Sequence, residues 1–324
     1  MGAGDFSVYQ AKERAAVSVR YGDARVTSAA PPTAGGLTMG EILEVVEPLK
    51  LRQYGAGSGE ALHRFTEATR LAYQDRYAYI GDSDVVQVPA HGLLDPAFAA
   101  ERRALIDPAK ANGHPTPGDP WPHEPGGRPA GAAADGASSG REGPHTTHFT
   151  VVDKWGNIAS VTSTIEDVFG SGILVPGRGI MLNNELTDFD FRPGGPNEVG
   201  PHKRPRSSMA PTILERGGQP FAAYGSPGGP TITTTATEVT LDLLEYGMTL
   251  PEAVAAPRTF AADYPGVAWE AGTPAAALDL LRQRGDQPDA APSVIGNVQG
   301  AWRDPAGWHG VADHRDGDGG VAYA

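Results

Sequence analysis

The chain has 324 residues, of which 40% are hydrophobic, enough to bury the core of one large or two ordinary domains. Acidic residues outnumber Lys and Arg by 39 to 26, and no basic block forms the stripe that a nucleic-acid backbone requires, which argues against a nucleic-acid partner. The lack of cysteine excludes disulfides, thiolate metal sites and cysteine nucleophiles. Residues 1–10 show no signal-peptide pattern, and no stretch is apolar over the roughly 18 residues of a membrane span, so none is predicted.

The first part of the chain is predicted to be helical. Apolar residues recur at helical spacing over residues 40–46, and Ser58 is suited to cap a longer helix. That longer helix has an apolar stripe that includes Leu62 and Phe65, as expected of a helix that packs on a core. Its charged residues are predicted to lie mostly on the opposite face; they are Glu67, Arg70 and Asp75.

The composition changes over residues 111–144, which are rich in Gly, Pro, Ala and Ser and poor in aliphatic side chains. Such a segment buries too little apolar surface to offset its ordering entropy, so it is predicted to be a flexible linker. After this segment the hydrophobic pattern repeats every two residues. Residues 146–153 and 157–164 are rich in β-formers and are joined by Lys-Trp-Gly at 154–156. This pattern predicts a β-hairpin that begins a sheet at Thr146.

Three more strands are predicted at residues 179–183, 211–216 and 219–225, and a Gly-Gly turn joins the last two. Two helices are predicted over residues 230–246 and 273–285 from their proline starts and glycine stops. Separate blocks of strands and helices indicate an α+β fold of layered sheets with helices outside.

Thr146 lies where the predicted linker meets the first strand. A threonine hydroxyl is a weak nucleophile at neutral pH and needs an adjacent base. One solution is the α-amine of the same residue, freed when the preceding peptide bond is cut. A flexible segment that ends at a strand-leading threonine suits such a cut. Ordinary β-propensity also explains a threonine there, so the position by itself leaves both interpretations open.

A glycine-rich turn, GSPGGPT at residues 225–231, lies between a predicted strand and a predicted helix. Such turns present backbone N–H groups that cradle a phosphate or stabilise an oxyanion. The Gly-Lys-Ser/Thr ending of a phosphate-binding P-loop is missing. A plain tight turn and an anion site remain the two interpretations.

Two other segments carry polar groups that suit the two ends of a zwitterion. Residues 204–209, RPRSSM, place two hydroxyls beside two guanidinium groups, which suits a carboxylate, although a surface loop also explains them. Residues 183–188, NNELTD, combine two carboxylates with two amides after a strand, which suits an ammonium group or a solvated turn.

No metal site is predicted. His145 and His148 would lie on opposite faces of an extended run and could not clamp one ion. Residues 313–320 are acidic and glycine-rich but lack the final glutamate of a calcium loop.

The order of these motifs resembles the small subunit of the γ-glutamyltransferases, a family of N-terminal-nucleophile hydrolases. In chain order the motifs are TTHFTVVD at 146–153, TST at 162–164, LNNE at 182–185, KRPRSSM at 203–209 and GSPGG at 225–229. The likeness continues to the end of the chain through NVQ at 297–299 and GVAD at 310–313. The part before Thr146 is similar to the end of that family's large subunit.

The resemblance implies a four-layer αββα sandwich, built by a precursor that cuts itself between His145 and Thr146. Residues 1–145 would be the C-terminal part of the large subunit, ending in the linker at 111–144. Residues 146–324 would be the small, catalytic subunit, and the two pieces would stay together.

The resemblance also implies roles for single residues. Thr146 would be the nucleophile, with its new α-amine as the general base. Thr164 would hydrogen-bond the Thr146 hydroxyl and orient it. Gly228 and Gly229 would line the oxyanion hole.

The implied substrate is a γ-glutamyl amide such as glutathione or a glutamine-like amide, whose glutamyl group passes to water or to an acceptor amino acid. Ser207 and Ser208 would hold its α-carboxylate. Glu166, Glu185 and Asp188 would surround its α-ammonium. No metal or organic cofactor is implied.

The sequence departs from the family pattern at its start. Family members carry a long upstream stretch, with an arginine that pairs with the substrate carboxylate, so the resemblance implies an N-terminally truncated chain. Arg204 and Arg206 are candidates to replace that arginine. The stretch normally also supplies strands and any signal peptide, and the family suggests a periplasmic or secreted location for a full-length form. Two alternatives stay open: a related acylase with a different acyl pocket, and a fragment that catalyses nothing.

Overall fold

A computed structural model of the chain describes residues 3–130, 143, 145–315, 317 and 319–323. The α-helices are α1 (Ala3–Val8), α2 (Gly35–Val46), α3 (Gly59–Tyr79), α4 (Ala90–Leu93), α5 (Pro96–Arg103), α6 (Thr231–Leu244), α7 (Leu250–Ala255) and α8 (Ala275–Arg284). The strands are β1 (Val17–Tyr21), β2 (Ala24–Ser28), β3 (Thr147–Val152), β4 (Ile158–Ser163), β5 (Leu174–Val175), β6 (Ile180–Met181), β7 (Thr212–Arg216), β8 (Gln219–Gly225), β9 (Thr259–Phe260), β10 (Gly266–Trp269), β11 (Gln287–Pro288), β12 (Gln299–Asp304) and β13 (Gly307–Ala312).

The centre of the fold is a six-stranded antiparallel sheet in the order β1-β2-β7-β8-β12-β13. Helices α2 and α6 pack on one face, and their apolar side chains join those of the strands in the main hydrophobic cluster. Tyr224 of β8 points into this cluster, with its hydroxyl 2.5 Å from that of Thr240 on α6. Because successive strand residues alternate in direction, Gly225 faces the opposite side of the sheet.

The hairpin β3–β4 lies on that opposite side, against β8 and β12. The close approach depends on Gly225, because a Cβ there would lie 2.4 Å from Nδ1 of His148. Helices, large sheet and hairpin therefore form three successive layers, which confirms the predicted α+β arrangement with helices outside sheets. On the outer face of the hairpin, Phe149 and Val151 are 48% and 54% exposed.

The strands predicted from alternation are confirmed for β3, β4, β7 and β8, each within one residue of its expected bounds. Gly217 and Gly218 make the predicted turn between β7 and β8, both at positive φ. The strand predicted at 179–183 is only the two-residue β6. The hairpins β1–β2 and β12–β13, at the two edges of the large sheet, were not predicted.

The predicted polar face of α3 is wrong. Ser58 caps the helix as expected, accepting a hydrogen bond from the Ala61 amide at 3.2 Å. However, Arg70 is buried and pairs with the equally buried Asp286, 2.6 Å away, and Asp75 pairs with Arg102 at 2.8 Å. Ion pairs to other elements replace water around these charges. In the described part of the chain, neither α3 nor any other helix has the length and apolar character to cross a bilayer.

The predicted flexible linker is also wrong for its first part. Residues 111–124 contact the helices, and Trp121 is only 4% exposed in a cluster that includes side chains of α2, α3, α4 and α5. Residues 125–130 are mostly exposed. The Gly118 amide donates to Asp75 at 2.6 Å, and the Thr116 carbonyl accepts from Arg102 at 2.8 Å. Polar contacts with buried charges, rather than aliphatic burial, fix this segment. Residues 131–142 and 144 of the predicted linker lie outside the described residues.

Candidate active site

Thr146 and Thr164 flank the open end of the hairpin, where β3 begins and β4 ends. The Thr146 hydroxyl donates to Oγ1 of Thr164 at 3.1 Å, and the Thr164 hydroxyl donates to the carbonyl oxygen of His145 at 2.9 Å. The Glu166 amide donates to the same Thr164 oxygen at 2.9 Å. One hydroxyl therefore contacts both the candidate nucleophile and the carbonyl of the peptide bond that precedes it.

The glycine-rich turn presents unpaired donors close to Thr146. Gly228 and Gly229 have φ values of +134° and +55°, which favour glycine at both positions. Among the described residues, neither backbone N–H has a hydrogen-bond partner, although buried or half-buried amides are normally paired. Gly228 and Thr146 line one cavity of about 980 Å³. A backbone N–H without a partner in the wall of the cavity that Thr146 lines is what an oxyanion hole requires, and Gly228 has that position.

Three side chains whose roles the sequence analysis missed hold this turn. The Thr231 hydroxyl donates to the Gly228 carbonyl at 2.9 Å. Buried Ser226 donates to the Pro227 carbonyl at 2.6 Å and accepts from the Asn297 amide at 2.8 Å. Tyr73 of α3 donates to the carbonyl of Pro230 at 2.5 Å. The turn is thus anchored to α3, α6 and the loop before β12.

The Ser207–Ser208 loop is fixed by the same helix. Arg76 donates to the Ser208 hydroxyl at 2.7 Å, and it lies three residues from Tyr73, on the same face of α3. The Ser208 carbonyl also accepts from Thr233 of α6 at 3.2 Å. One turn of α3 therefore holds both the serine loop and the glycine-rich turn, and it places a buried guanidinium beside Ser208 that the sequence analysis did not identify.

The candidate ammonium ligands lie on the other side of Thr164. Glu166 is buried, has a strained φ of +77°, and accepts from the Asn184 amide group. Asn184 leads directly into the 3-10 helix Glu185–Asp188, so the three predicted carboxylates belong to adjoining segments. Asp188 is buried, and its carbonyl accepts from Asn197 at 2.8 Å.

Asn197 connects the acidic segment with the serine loop. Its side chain is fully buried and also accepts from the Arg206 amide at 2.7 Å, next to the serine loop. Hydrogen bonds thus connect all the predicted segments, from Thr146 through Thr164 and the acidic residues to the serine loop, α3 and the glycine-rich turn. The walls of the 980 Å³ cavity include Thr146 and Gly228, but among the described residues they do not include the following: Thr164, Glu166, Glu185, Asp188, Ser207, Ser208 and Gly229.

The two arginines considered as carboxylate partners are engaged elsewhere. Arg206 is buried against Asp190, 3.3 Å away, and donates to the Ile80 carbonyl. Arg204 is paired with Asp84 at 3.1 Å. Both guanidinium groups therefore already face protein acceptors.

His148 lies between the two sheets and keeps the hairpin in place. It is 4% exposed, whereas His145 is exposed, so the two histidines face apart as predicted. Nδ1 lies 2.8 Å from the Thr162 hydroxyl and Nε2 lies 3.1 Å from that of Thr150. Burial lowers the pKa of His148 to about 4. The ring is therefore neutral at pH 7, and hydroxyls suit either tautomer.

This burial predicts an acid-sensitive fold. The unfolded chain binds a proton at His148 near its ordinary pKa of about 6.5, but the folded chain binds it only near 4, so stability is lost as the pH falls between these values. In the wild type, this proton uptake is expected to lower the free energy of unfolding by up to about 3 kcal/mol between pH 6.5 and 4, and replacing His148 with glutamine is expected to remove that loss. Melting temperatures from pH 7 to 4 measure it. The exposed-residue control His114→Gln should keep the wild-type pH slope; an unchanged slope in His148→Gln would contradict the assignment.

Comparison with known proteins agrees with the motif order. The γ-glutamyltranspeptidase family profile matches residues 1–323. The chain belongs to the γ-glutamyltranspeptidase family. This confirms the family predicted from the sequence.

Within the γ-glutamyltranspeptidase family and its neighbours, two kinds of relative occur. The chain is 42% identical to the glutathione hydrolase proenzyme of Bacillus subtilis (strain 168) over 279 residues, 86% of this chain and 47% of that protein. It is 33% identical to the acylase ACY 1 proenzyme of Pseudomonas sp. (strain SE83) over 304 residues, 94% of this chain and 50% of that protein. The crystal structure of cephalosporin acylase from Bacillus halodurans matches with a TM-score of 0.83 at 26% identity, covering 96% of this chain and 53% of that one. The chain thus spans about half the length of the curated relatives it matches.

Proposed function

We propose that this member of the γ-glutamyltranspeptidase family transfers or hydrolyses γ-glutamyl groups through an acyl-enzyme on Thr146, formed after the chain cuts itself between His145 and Thr146. The observation that carries the proposal is the Thr164 hydroxyl, which accepts from the Thr146 hydroxyl and donates to the His145 carbonyl. By accepting the hydrogen bond from Thr146, the Thr164 oxygen increases the nucleophilicity of the Thr146 hydroxyl. By donating to the His145 carbonyl oxygen, the Thr164 hydroxyl polarises the carbonyl that Thr146 would attack.

This geometry supports the proposed cut. Oγ1 of Thr146 attacks the carbonyl carbon of His145, the C–N bond breaks, and the proton of the hydroxyl passes to the amine that leaves. The resulting ester between His145 and Thr146 is hydrolysed by water, which leaves a carboxylate on His145 and a free hydroxyl and α-amine on Thr146. The α-amine then serves as the general base for turnover.

The two pieces, residues 1–145 and 146–324, would remain together after the cut. Strand β2 of the first pairs with β7 of the second over four residue pairs in the central sheet. Helix α2 of the first packs on α6 of the second within the main hydrophobic cluster. Separating them would expose this core, so a cut is compatible with an intact fold.

The cut would also open the candidate ammonium site. In the continuous chain, Gly143 lies directly against Glu166, and a Cβ on Gly143 would lie 2.5 Å from Oε1 of that carboxylate. Gly143 therefore occupies space that a substrate ammonium would need. Once the ester is hydrolysed, the chain end that carries Gly143 is free to leave.

In the proposed reaction, Thr146 attacks the γ-carbonyl of the substrate while the free N–H groups of Gly228 and Gly229 stabilise the oxyanion. The tetrahedral species collapses, the amine leaves with a proton from the Thr146 α-ammonium, and the glutamyl ester remains. Water or the amino group of an acceptor amino acid then attacks the ester. Each step uses only groups of this chain and its substrates.

Substrate recognition is proposed to use the two polar segments. Ser207 and Ser208 would bind the α-carboxylate, supported by the positive charge of Arg76 beside Ser208. Glu166, with Glu185 and Asp188, would bind the α-ammonium. Because Arg204 and Arg206 are already paired with carboxylates, they are poor candidates for the carboxylate partner.

The second candidate function is that of an acylase, which the Pseudomonas acylase at 33% identity favours. The α-amino group of the substrate distinguishes the two functions. A γ-glutamyl anilide and a glutaryl anilide differ only in the α-amino group, so an ammonium site built by three carboxylates should favour the first. Turnover of the γ-glutamyl compound in strong preference to the glutaryl one supports the proposal. The reverse preference would support the acylase, and turnover of neither would support an inactive chain.

Removing both loop hydroxyls tests the carboxylate site. Replacing Ser207 and Ser208 with alanine is expected to lower kcat/KM for a γ-glutamyl anilide by about 10- to 100-fold, because hydrogen bonds to a charged group contribute about 1.5 to 3 kcal/mol. The control is Ser18→Ala, an exposed hydroxyl on β1. A change of less than about threefold, roughly 0.65 kcal/mol, would show that the serines do not bind the carboxylate.

A further inference from the structure

A second cavity, of about 280 Å³, lies between α3, α6 and the loops that follow α7 and β10. It shares no lining residue with the active-site cavity. Its walls are mostly apolar, and they include the following: Leu51, Ala61, Leu62, Phe65, Leu241, Met248, Pro257 and Pro274. A volume of this size suits a small ligand of one ring or a short aliphatic chain.

Two carboxyl groups interrupt the apolar wall. Glu238 and Asp242 lie four residues apart on α6, so they share one face of the helix. Oε1 of Glu238 accepts from the amide and hydroxyl of Thr259, both at 2.9 Å, whereas its Oε2 is inaccessible and has no hydrogen-bond partner among the described residues. The carboxyl group of Glu238 is therefore held by Thr259 in the wall of the cavity.

Among the described residues, no cation forms a salt bridge with Glu238 or Asp242. Arg258 is the basic residue that interacts with both carboxyl groups, but its guanidinium donates to Asp313 at 2.9 Å and to the carbonyls of Ile295 and Val254, each at 2.8 Å. Burial accordingly raises the pKa of Glu238 to about 8 and that of Asp242 to about 7. Because the Arg258 guanidinium is engaged by Asp313, an ammonium ion in the cavity would favour the charged forms of both carboxyl groups.

We infer that this cavity binds a small organic ammonium ion, whose apolar part lies against Leu62, Phe65 and Leu241 and whose N–H groups donate to Glu238 and Asp242. An ammonium group has several donors and matches two carboxyl groups on one helix face. A divalent metal ion is a poorer match, because it needs six or more oxygen ligands and the rest of the wall is apolar. The inference does not depend on the reaction proposed for Thr146.

Benzylamine and benzyl alcohol are matched probes for this site, because they have one ring of the same size and differ in the charged group. Binding of each to the full chain is measured by calorimetry at pH 8, where the amine is protonated. We expect benzylamine to saturate a single site in the millimolar range and to bind about tenfold or more tightly than benzyl alcohol. Equal affinities, or no saturable binding of benzylamine, would overturn the inference.

Four variants locate the binding. Glu238→Gln and Asp242→Asn should each remove most of the preference for the amine, and Glu13→Gln, an exposed carboxylate on the N-terminal segment, should keep it. Glutamine can still accept the two Thr259 hydrogen bonds, so Glu238→Gln is expected to fold, as circular dichroism can verify. Leu62→Trp, which fills the cavity, should abolish binding. If Leu62→Trp binds benzylamine normally, the amine binds elsewhere, for example at the active-site carboxylates, and the inference is wrong.

Discussion

Replacing Thr146 with alanine is expected to leave the chain uncut and to lower kcat for a γ-glutamyl anilide by a factor of about 10⁴ or more. The variant loses the oxygen that attacks the His145 carbonyl, so neither the ester intermediate nor the free α-amine can form. Both nucleophile and base are therefore lost in one substitution. Denaturing electrophoresis measures the cut, and the release of the chromogenic amine measures turnover.

Thr147→Ala is the matched control for this prediction. Thr147 is the next residue, it has the same side chain, and it is exposed in β3. The control should be cut like the wild type, into residues 1–145 and 146–324, and should keep its activity within a few-fold. A Thr146→Ala variant that is still cut at the same bond, or that keeps turnover, would remove Thr146 from the mechanism.

Replacing Gly228 with alanine is expected to lower kcat by about 10²- to 10³-fold, comparable with the removal of one oxyanion donor. Gly228 has a φ of +134°, which L side chains rarely adopt, and an alanine Cβ would lie 2.4 Å from Oγ1 of Thr231. The turn must shift, which would displace the two N–H groups that are proposed to stabilise the developing charge. Because the donors act in the transition state, kcat should fall more than KM rises.

Gly217→Ala separates this effect from backbone strain in general. Gly217 also has a positive φ, +59°, but it lies in the turn between β7 and β8, and a Cβ there would meet nothing within 4 Å. This control is expected to lose some stability but to keep kcat. Equal losses of kcat in the two variants, or no loss in Gly228→Ala, would contradict an oxyanion role for the turn.

Local patterns in the sequence predicted the part of the fold that carries Thr146. The alternation in β3, β4, β7 and β8 reflects strands with one buried face, so the strand bounds could be read within one residue. The cap at Ser58 was equally visible, because its hydroxyl acts on an amide three residues away. Features governed by near neighbours in the chain were therefore predictable.

Features that depend on partners far away in the chain could not be predicted from the sequence. The charges of α3 looked solvated because Asp286, the partner of Arg70, lies 216 residues further along the chain. Residues 111–130 looked disordered because their fixed points are the buried Asp75 and Arg102, which composition does not reveal.

The supporting residues of the site were missed for the same reason. Tyr73 and Arg76 each hold a loop more than 100 residues away in the chain, and their spacing in the sequence carries no signal of it. Asn197 contacts residues nine positions away on either side, but nothing in its local sequence indicates that its side chain is buried. Tyr73 and Arg76 did share one helix face at a spacing of three, which indicated only that they would contact the same neighbourhood. The order of short motifs, rather than any single motif, indicated the family that the comparison then confirmed.

The central claim is that Thr146 becomes an N-terminal nucleophile that carries the glutamyl group. It is tested most directly by mixing the purified chain with a γ-glutamyl anilide, quenching in acid during turnover, and mapping the peptides by mass spectrometry. We predict a peptide that begins at Thr146 and carries the added mass of one glutamyl group on that residue. A peptide that runs unbroken through His145 and Thr146 in an active sample, or a glutamyl group on any other residue, would contradict the account.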